Sequence, residues 1–104
     1  MTTDATTVTP AHPPTHPGEL LADELAEICV SQAALARAVG VPRSRISAII
    51  RGERLITADT GLRLSRYFGT SEHYWINLQV DYDVELAKDQ HADDLARVAP
   101  RRAS

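Results

Sequence analysis

The sequence predicts an all-α protein built from five helices, of which the last is long. Three observations support this prediction: apolar residues recur at helical spacing, no segment alternates strictly between apolar and polar residues, and cap residues separate the apolar stretches. The chain has 104 residues, of which 43% are hydrophobic and 24% are charged. These values are typical of a globular protein with one domain and a modest core.

The first two predicted helices are defined by an apolar face and by their end residues. In "GELLADELAEICV", Leu21, Leu25 and Ile28 recur at helical spacing, which predicts an amphipathic first helix. Ser31 is a favourable N-cap for the second helix, "QAALARAV", and Gly40 suits the left-handed residue that ends it. A tight turn is therefore expected before the third helix.

The third, fourth and fifth helices are predicted from the same kinds of signal. Pro42 fits the first turn of the third helix, "RSRISAIIR". Thr57 can cap a fourth helix, "ADTGLRLSRYF", which ends at Gly69. Ser71 can cap the fifth helix, which we expect over about residues 72–89. Because the loops between these segments are short, the helices are expected to pack as one domain.

The two ends of the chain differ in composition from the middle. Residues 1–17 are rich in Thr and Pro, which predicts a flexible arm because proline blocks helix and sheet hydrogen bonding. His12 and His16 lie in this arm, but no further ligand is nearby and we expect no metal site. The folded domain is expected over residues 18–90. A tail follows at residues 91–104, in which "ADDLARVA" could form a further short helix.

Charge is distributed unevenly along the chain, although the net charge is only -3. Residues 31–66 contain seven arginines and two acidic residues, whereas acidic residues predominate on both sides of this segment. A basic middle between acidic ends indicates an anionic partner for the middle segment.

The second and third helices match the spacing of a helix-turn-helix at residues 32–51. Counting Gln32 as the first position, Ala36 is fifth, Gly40 ninth and Ile46 fifteenth. A small residue at the fifth position lets the two helices approach closely, and glycine at the ninth adopts the left-handed backbone of the turn. A plain helical hairpin in a bundle core is the alternative. The combined spacing and the outward arginines favour DNA binding.

The outward face of the third helix carries side chains suited to DNA. The N-terminal end of such a helix enters the major groove, where the arginine fork matches the O6 and N7 acceptors of guanine. Serine hydroxyls reach base edges or phosphates, and an alanine methyl can contact a thymine methyl. Arg37 and Arg54 are expected at phosphates, which position the protein without reading sequence. The predicted DNA-contacting residues are Gln32, Arg37, Arg43, Ser44, Arg45, Ser47, Ala48, Arg51 and Arg54.

The fifth helix carries two apolar stripes, which is more than one small core needs. One stripe closes the domain and contains Trp75, Leu78, Tyr82 and Leu86. The other is displaced around the helix and predicts a homodimer interface across a two-fold axis, with one broad stripe inside a monomer as the alternative. The predicted interface residues are Ile76, Val80, Val84 and Ala87.

Neither the motifs nor the cysteine content favours an enzyme. The sequence contains no nucleophile–base pair, paired-carboxylate pattern, glycine-rich phosphate loop or metal cluster. The single cysteine, Cys29, excludes an internal disulfide and is expected to be a small buried hydrophobe. Because no apolar run is long enough for a membrane span and the first residues do not form a secretory signal, we expect a cytoplasmic protein. Because the motifs above are missing, we expect no cofactor.

From about residue 16 to residue 87 the sequence resembles the HigA family of antitoxins, within the Cro/C1-type (XRE) regulators. The matching segments are "HPGELLADEL", "SQAALARAVGVPRSRISAIIRGER" and "ITADTGLRLSRYFGTSEHYWINLQVDYDVELA". This resemblance implies a Cro/C1 repressor-like fold and a dimeric antitoxin. Such a protein would neutralise a HigB-like mRNA-cleaving toxin and repress its own promoter at a palindromic operator in double-stranded DNA. A phage-type repressor without a toxin, or a protein-interaction module that has lost DNA binding, are the alternatives.

Overall fold

Six α-helices make up the part of the chain that the structure, a computed structural model, describes, residues 15–102. No strand occurs within this range, so the all-α prediction is confirmed. The helices are α1 (Pro17–Ile28), α2 (Gln32–Val39), α3 (Arg43–Ile50), α4 (Ala58–Phe68), α5 (Tyr74–Gln90) and α6 (Ala92–Ala96).

The predicted caps of α2 and α4 are confirmed. The Ser31 hydroxyl accepts a hydrogen bond of 3.0 Å from the Ala34 amide at the start of α2. Thr57 caps α4 in the same way through its own side-chain oxygen. Gly40 and Gly69 end these two helices with φ of 77° and 74°, in the left-handed region that glycine adopts without a steric penalty.

The first helix begins earlier than the sequence analysis predicts. Pro17 is its first residue, and His16 is its N-cap, with Nδ1 accepting a 2.8 Å hydrogen bond from the Gly18 amide. Helix α1 and its N-cap therefore begin within the segment that the sequence analysis assigned to the arm, residues 1–17. Residues 1–14, which include His12, lie outside the described residues.

Two other helix starts differ from the prediction. Pro42 is the N-cap of α3 and lies just outside the helix, because its extended ψ of 145° is not helical. Helix α5 begins at Tyr74 instead of Glu72, and Ser71 uses its backbone carbonyl, not its hydroxyl, to accept the Tyr74 amide. The intervening residues form a turn, and no side chain among residues 15–102 caps the N-terminus of α5.

The core lies between α1, α2, α3 and α4 and is closed by the first turns of α5. The apolar face of α1 is narrower than predicted, because Ile28 is 40% exposed. Cys29, which follows it, is also exposed, so its predicted burial is wrong. The buried apolar residues are Leu21, Leu25, Leu35, Ala36, Val39, Val41, Ile46, Ile49, Ile56, Leu64 and Trp75.

The last part of the chain extends beyond this core. The segment predicted as a tail, residues 91–104, contains the short helix α6, which packs on α5 and has no buried residue. Residues 103 and 104 lie outside the described range. Among the described helices, none has the length and apolar character needed to cross a membrane.

Candidate nucleic-acid interface

Helices α2 and α3 form the predicted helix-turn-helix. The turn is held by two backbone hydrogen bonds to the Ala36 carbonyl, from the Gly40 amide at 2.9 Å and from the Val41 amide at 3.0 Å. Ala36 itself is buried, which fits its predicted role at the close approach of the two helices. Ile46 and Ile49 are fully buried and fix the rotation of α3 about its own axis.

With these isoleucines buried, the opposite side of α3 faces away from the core. Ser44 and Arg51 are exposed, and Ser47 and Ala48 are half-buried beside them. These four residues form one surface, which we call the α3 outer face. The structure therefore brings together on one side four of the nine residues that the sequence analysis assigned to DNA contact.

Gln32 is joined to the α3 outer face by a side-chain hydrogen bond. The Ser47 hydroxyl donates to Gln32 Oε1 at 2.7 Å, across the turn between α2 and α3. Because the carbonyl oxygen of the amide is the acceptor, the Gln32 amino group remains available as a donor. Gln32 is also half-buried, so its position is fixed by packing as well as by this bond.

The arginines around the α3 outer face fall into two groups. Arg37, Arg43 and Arg54 are exposed and form no ion pair within residues 15–102. Arg45 and Arg51 are paired with carboxylates. The unpaired group offers cations that need not be separated from a carboxylate before they meet a phosphate.

Arg45 lies at the edge of this surface. Its side chain is only 27% exposed and extends toward the start of α4, where Nη1 lies 3.7 Å from Asp59 Oδ2. Its Nε is buried and has no hydrogen-bond partner among residues 15–102. Arg45 is therefore partly engaged with its own domain.

Arg51 is paired at the other end of α3. Its Nη2 and Nε lie 3.1 Å and 3.2 Å from Glu53 Oε1, respectively. Both side chains are largely exposed, at 57% and 62%. Arg51 therefore remains accessible to a ligand. An exposed pair of this kind stabilises a fold by at most about 1 kcal/mol, so little free energy is lost if a ligand separates it.

Arg63 has a structural role that sequence reasoning did not identify. Its Nη1 donates a 2.7 Å hydrogen bond to the Val39 carbonyl at the end of α2, while its Nε contacts Asp59 one turn earlier in α4. The guanidinium thus satisfies a helix C-terminal carbonyl and holds α4 against the helix-turn-helix. The pairing with Asp59 follows from their spacing on α4, but nothing in the sequence indicates the contact with Val39.

The start of α1 lies against the end of α3. A Cβ added at Gly18 would overlap the Ile49 carbonyl oxygen and lie 2.9 Å from the Ile50 Cα, so only glycine fits there. The His16 ring stacks edge-on against Tyr82 of α5, with 4.9 Å between ring centroids. The "HPG" segment therefore links α3 to α5. The sequence analysis assigned His16 to the arm and did not identify this link.

The two apolar stripes of α5 differ in burial. Trp75 is buried in the core, and the other members of its stripe are half-buried. In the second stripe, Val80 and Val84 are 48% and 49% exposed, and Ala87 is exposed. Ile76 differs from these three because it is half-buried and packs closely over Gly61 of α4.

Comparisons with known proteins agree with this geometry. A family model described as helix-turn-helix matches residues 30–75. An addiction module antidote protein of a HigA family from Coxiella burnetii has a solved structure with a TM-score of 0.82 and 41% identity, covering 86% of this chain and 100% of that one. The chain belongs to the HigA family of helix-turn-helix antitoxins.

Two further relatives extend the comparison. The structure of the Pseudomonas aeruginosa antitoxin HigA with the higBA promoter has a TM-score of 0.79 and 42% identity, and covers 86% of this chain and 99% of that one. Virulence-associated protein I of Dichelobacter nodosus is 49% identical over 77 residues, which are 73% of this chain and 71% of the relative. HigA-family proteins are DNA-binding antitoxins and not enzymes, and their Cro/C1-like fold is the one predicted here.

Proposed function

We propose that this HigA-family chain is a dimeric antitoxin that represses its own promoter and neutralises a HigB-like mRNA-cleaving toxin. The observation that carries the proposal is the α3 outer face, which presents polar and cationic side chains on a helix whose other side is packed on the core. A rigid helix of this kind, which carries arginines at both of its ends, suits the major groove. The P. aeruginosa relative, solved with promoter DNA, supports the same function.

Each side chain has a role in this proposal. The α3 outer face, with Arg43 and Arg45 at the N-terminal end of α3, contacts base edges. Arg37 and Arg54 contact phosphates, which orient the protein on the duplex. Gln32 donates its free amino group to a phosphate or a base edge near the rim of the groove. The proposed contact residues are Gln32, Arg37, Arg43, Ser44, Arg45, Ser47, Ala48, Arg51 and Arg54.

The exposed stripe of α5 is the proposed dimer interface. Val80, Val84 and Ala87 would pack on the same residues of a second copy, because a two-fold axis brings the same surface of each subunit together. Ile76 contributes at one end of the stripe, where part of its side chain is already covered by α4. Two recognition helices related in this way would read the half-sites of a palindromic operator about one helical turn apart.

Family membership supports the proposed toxin partner. In this proposal a small HigB-like protein binds this chain. Toxin binding and repression both take place in the cytoplasm. A phage-type repressor with no toxin would use the same helix-turn-helix, so DNA binding alone does not separate the two functions.

A co-expression experiment distinguishes an antitoxin from a phage-type repressor. The open reading frame adjacent to this gene is induced in a heterologous host, with and without this chain, and growth and co-purification are measured. The proposal predicts growth arrest by the neighbour alone, with rescue and a stable complex when both are present. A double variant, Arg43→Ala and Arg51→Ala, should still rescue growth but fail to repress a promoter reporter. Repression without any rescue would favour the phage-type repressor and contradict the antitoxin role.

A further inference from the structure

The chain reverses direction immediately after Arg51. The Glu53 amide donates to the Ala48 carbonyl at 2.8 Å, and the Gly52 amide donates to the Ile49 carbonyl at 3.0 Å. Gly52 has a φ of 77°, which completes the hydrogen-bond pattern of a Schellman C-cap. The backbone of Glu53 is therefore fixed relative to the last turn of α3.

This reversal explains why Arg51 and Glu53 can pair. Side chains two residues apart do not face each other along a helix, but the left-handed residue between them folds Glu53 back toward Arg51. The contact is specific in geometry, because one carboxylate oxygen meets both Nε and Nη2. These two nitrogens form the side edge of the guanidinium, so its other edge, formed by Nη1 and Nη2, remains open.

We propose that Glu53 is a positioning residue that fixes the Arg51 guanidinium so that its open edge reads a guanine in the operator. Guanine presents its O6 and N7 atoms side by side in the major groove, and two parallel N–H groups match them. The inference rests on the proposed DNA binding and adds the base class that Arg51 recognises and the residue that orients it.

The negative charge of Glu53 also favours guanine over phosphate as the group that Arg51 contacts. A carboxylate beside Arg51 repels a phosphate that approaches the guanidinium from that side, whereas a guanine edge carries no net charge. Arg51 is therefore less suited to contact phosphate, which is the role that the proposed function gives to Arg37 and Arg54. Because the Arg51–Glu53 pair is exposed, its contribution to stability is small, and its removal should leave the fold intact.

The test begins with selection from a randomised duplex library by the full-length wild-type protein. Affinity is then measured for the selected duplex and for duplexes in which each guanine is replaced in turn. Arg51→Ala should abolish the preference for guanine at one position of each half-site. Glu53→Gln should reduce that preference by about 3- to 10-fold, because the guanidinium becomes free to rotate.

Two further variants separate orientation from charge. Glu53→Asp retains the negative charge but shortens the side chain, so it should weaken the guanine preference as Glu53→Gln does. Glu85→Gln removes an equal charge from the Lys88–Glu85 pair on α5, whose exposure is similar, and should leave base preference unchanged. In the Arg51→Ala background, Glu53→Gln should have no further effect on base preference.

Three results would overturn the inference. If Glu53→Gln strengthened binding to every duplex equally, Glu53 would act only through its charge. If Arg51→Ala weakened binding to all duplexes without altering base preference, Arg51 would contact phosphate. If the wild-type protein enriched no sequence, the proposed operator binding itself would fail, and the inference with it; the wild-type selection alone identifies this case.

Discussion

The Ser47 hydroxyl donates a 2.7 Å hydrogen bond to Gln32 Oε1, which joins the first residue of α2 to the outer face of α3. The bond fixes the orientation of an amide whose amino group is then available to DNA. It links the two helices of the helix-turn-helix on the side opposite to the buried isoleucines. Ser47 is therefore expected to act on DNA binding through Gln32 as well as by direct contact.

Replacing Ser47 with alanine tests this coupling. Ser47→Ala should weaken binding to operator DNA by about 0.5–1.5 kcal/mol, the usual contribution of one hydrogen bond. Gln32→Ala should have an effect of similar size, and the double variant should lose less than the sum of the two. Fluorescence anisotropy with labelled duplex measures all three affinities. Strictly additive losses would show that the two side chains act independently.

The sequence predicts those parts of the fold that depend on neighbouring residues. The caps at Ser31 and Thr57 and the left-handed glycines at positions 40 and 69 are local features, and each is confirmed. The α3 outer face also follows from helical periodicity, because the burial of Ile46 and Ile49 determines which side is free. Whether that face contacts DNA stays a prediction.

Other features depend on residues that are distant in the sequence. Arg63 reaches a carbonyl 24 positions away, and His16 stacks on Tyr82, so periodicity carries no signal for either contact. The pairing of Arg51 with Glu53 needs the chain reversal at Gly52, which a glycine after a helix indicates but does not locate in space. The buried side chain of Gln79 was likewise missed; its Oε1 accepts the Ile56 amide at 2.9 Å.

Gly18→Ala should destabilise the protein by about 1–3 kcal/mol, because the added methyl group must displace α1 from the end of α3. Gly69→Ala is a suitable comparison, because no atom of the described part of the chain lies within 4 Å of a Cβ added there. Its cost of about 1 kcal/mol comes from the backbone conformation. Urea denaturation at one protein concentration measures both changes. If Gly18→Ala were as stable as the wild type, α1 and α3 would not be in close contact.

Cys29→Gly should stabilise the protein by about 0.5–1 kcal/mol. Cys29 is the one residue other than glycine with a positive φ, 57°, within residues 15–102, and glycine removes the steric penalty of its Cβ. Cys29→Ala retains the Cβ and should change the stability by less than about 0.5 kcal/mol. Thermal unfolding under reducing conditions distinguishes the two variants. Equal stability of both would show that the left-handed conformation at this position is not strained.

Val80→Asp should convert the protein to a monomer without unfolding it. Val80 lies in the middle of the exposed α5 stripe, and a two-fold interface would place two buried carboxylates close together. Leu62→Asp is a matched control, because Leu62 is similarly exposed, at 41%, but lies on α4. Sedimentation equilibrium and circular dichroism measure assembly and folding. A dimer that persisted in Val80→Asp would place the interface elsewhere.

The proposed recognition surface is tested most directly by the affinity of the protein for DNA upstream of its own gene, measured at several salt concentrations. The wild type should bind this duplex more tightly than a scrambled duplex, and its affinity should fall steeply with salt as phosphate contacts release counterions. Arg43→Ala should weaken the free energy of DNA binding by about 1–3 kcal/mol. Arg66 is an exposed arginine on α4, and Arg66→Ala should weaken binding much less. Equal binding to both duplexes, or equal losses in both variants, would contradict recognition of an operator by α3.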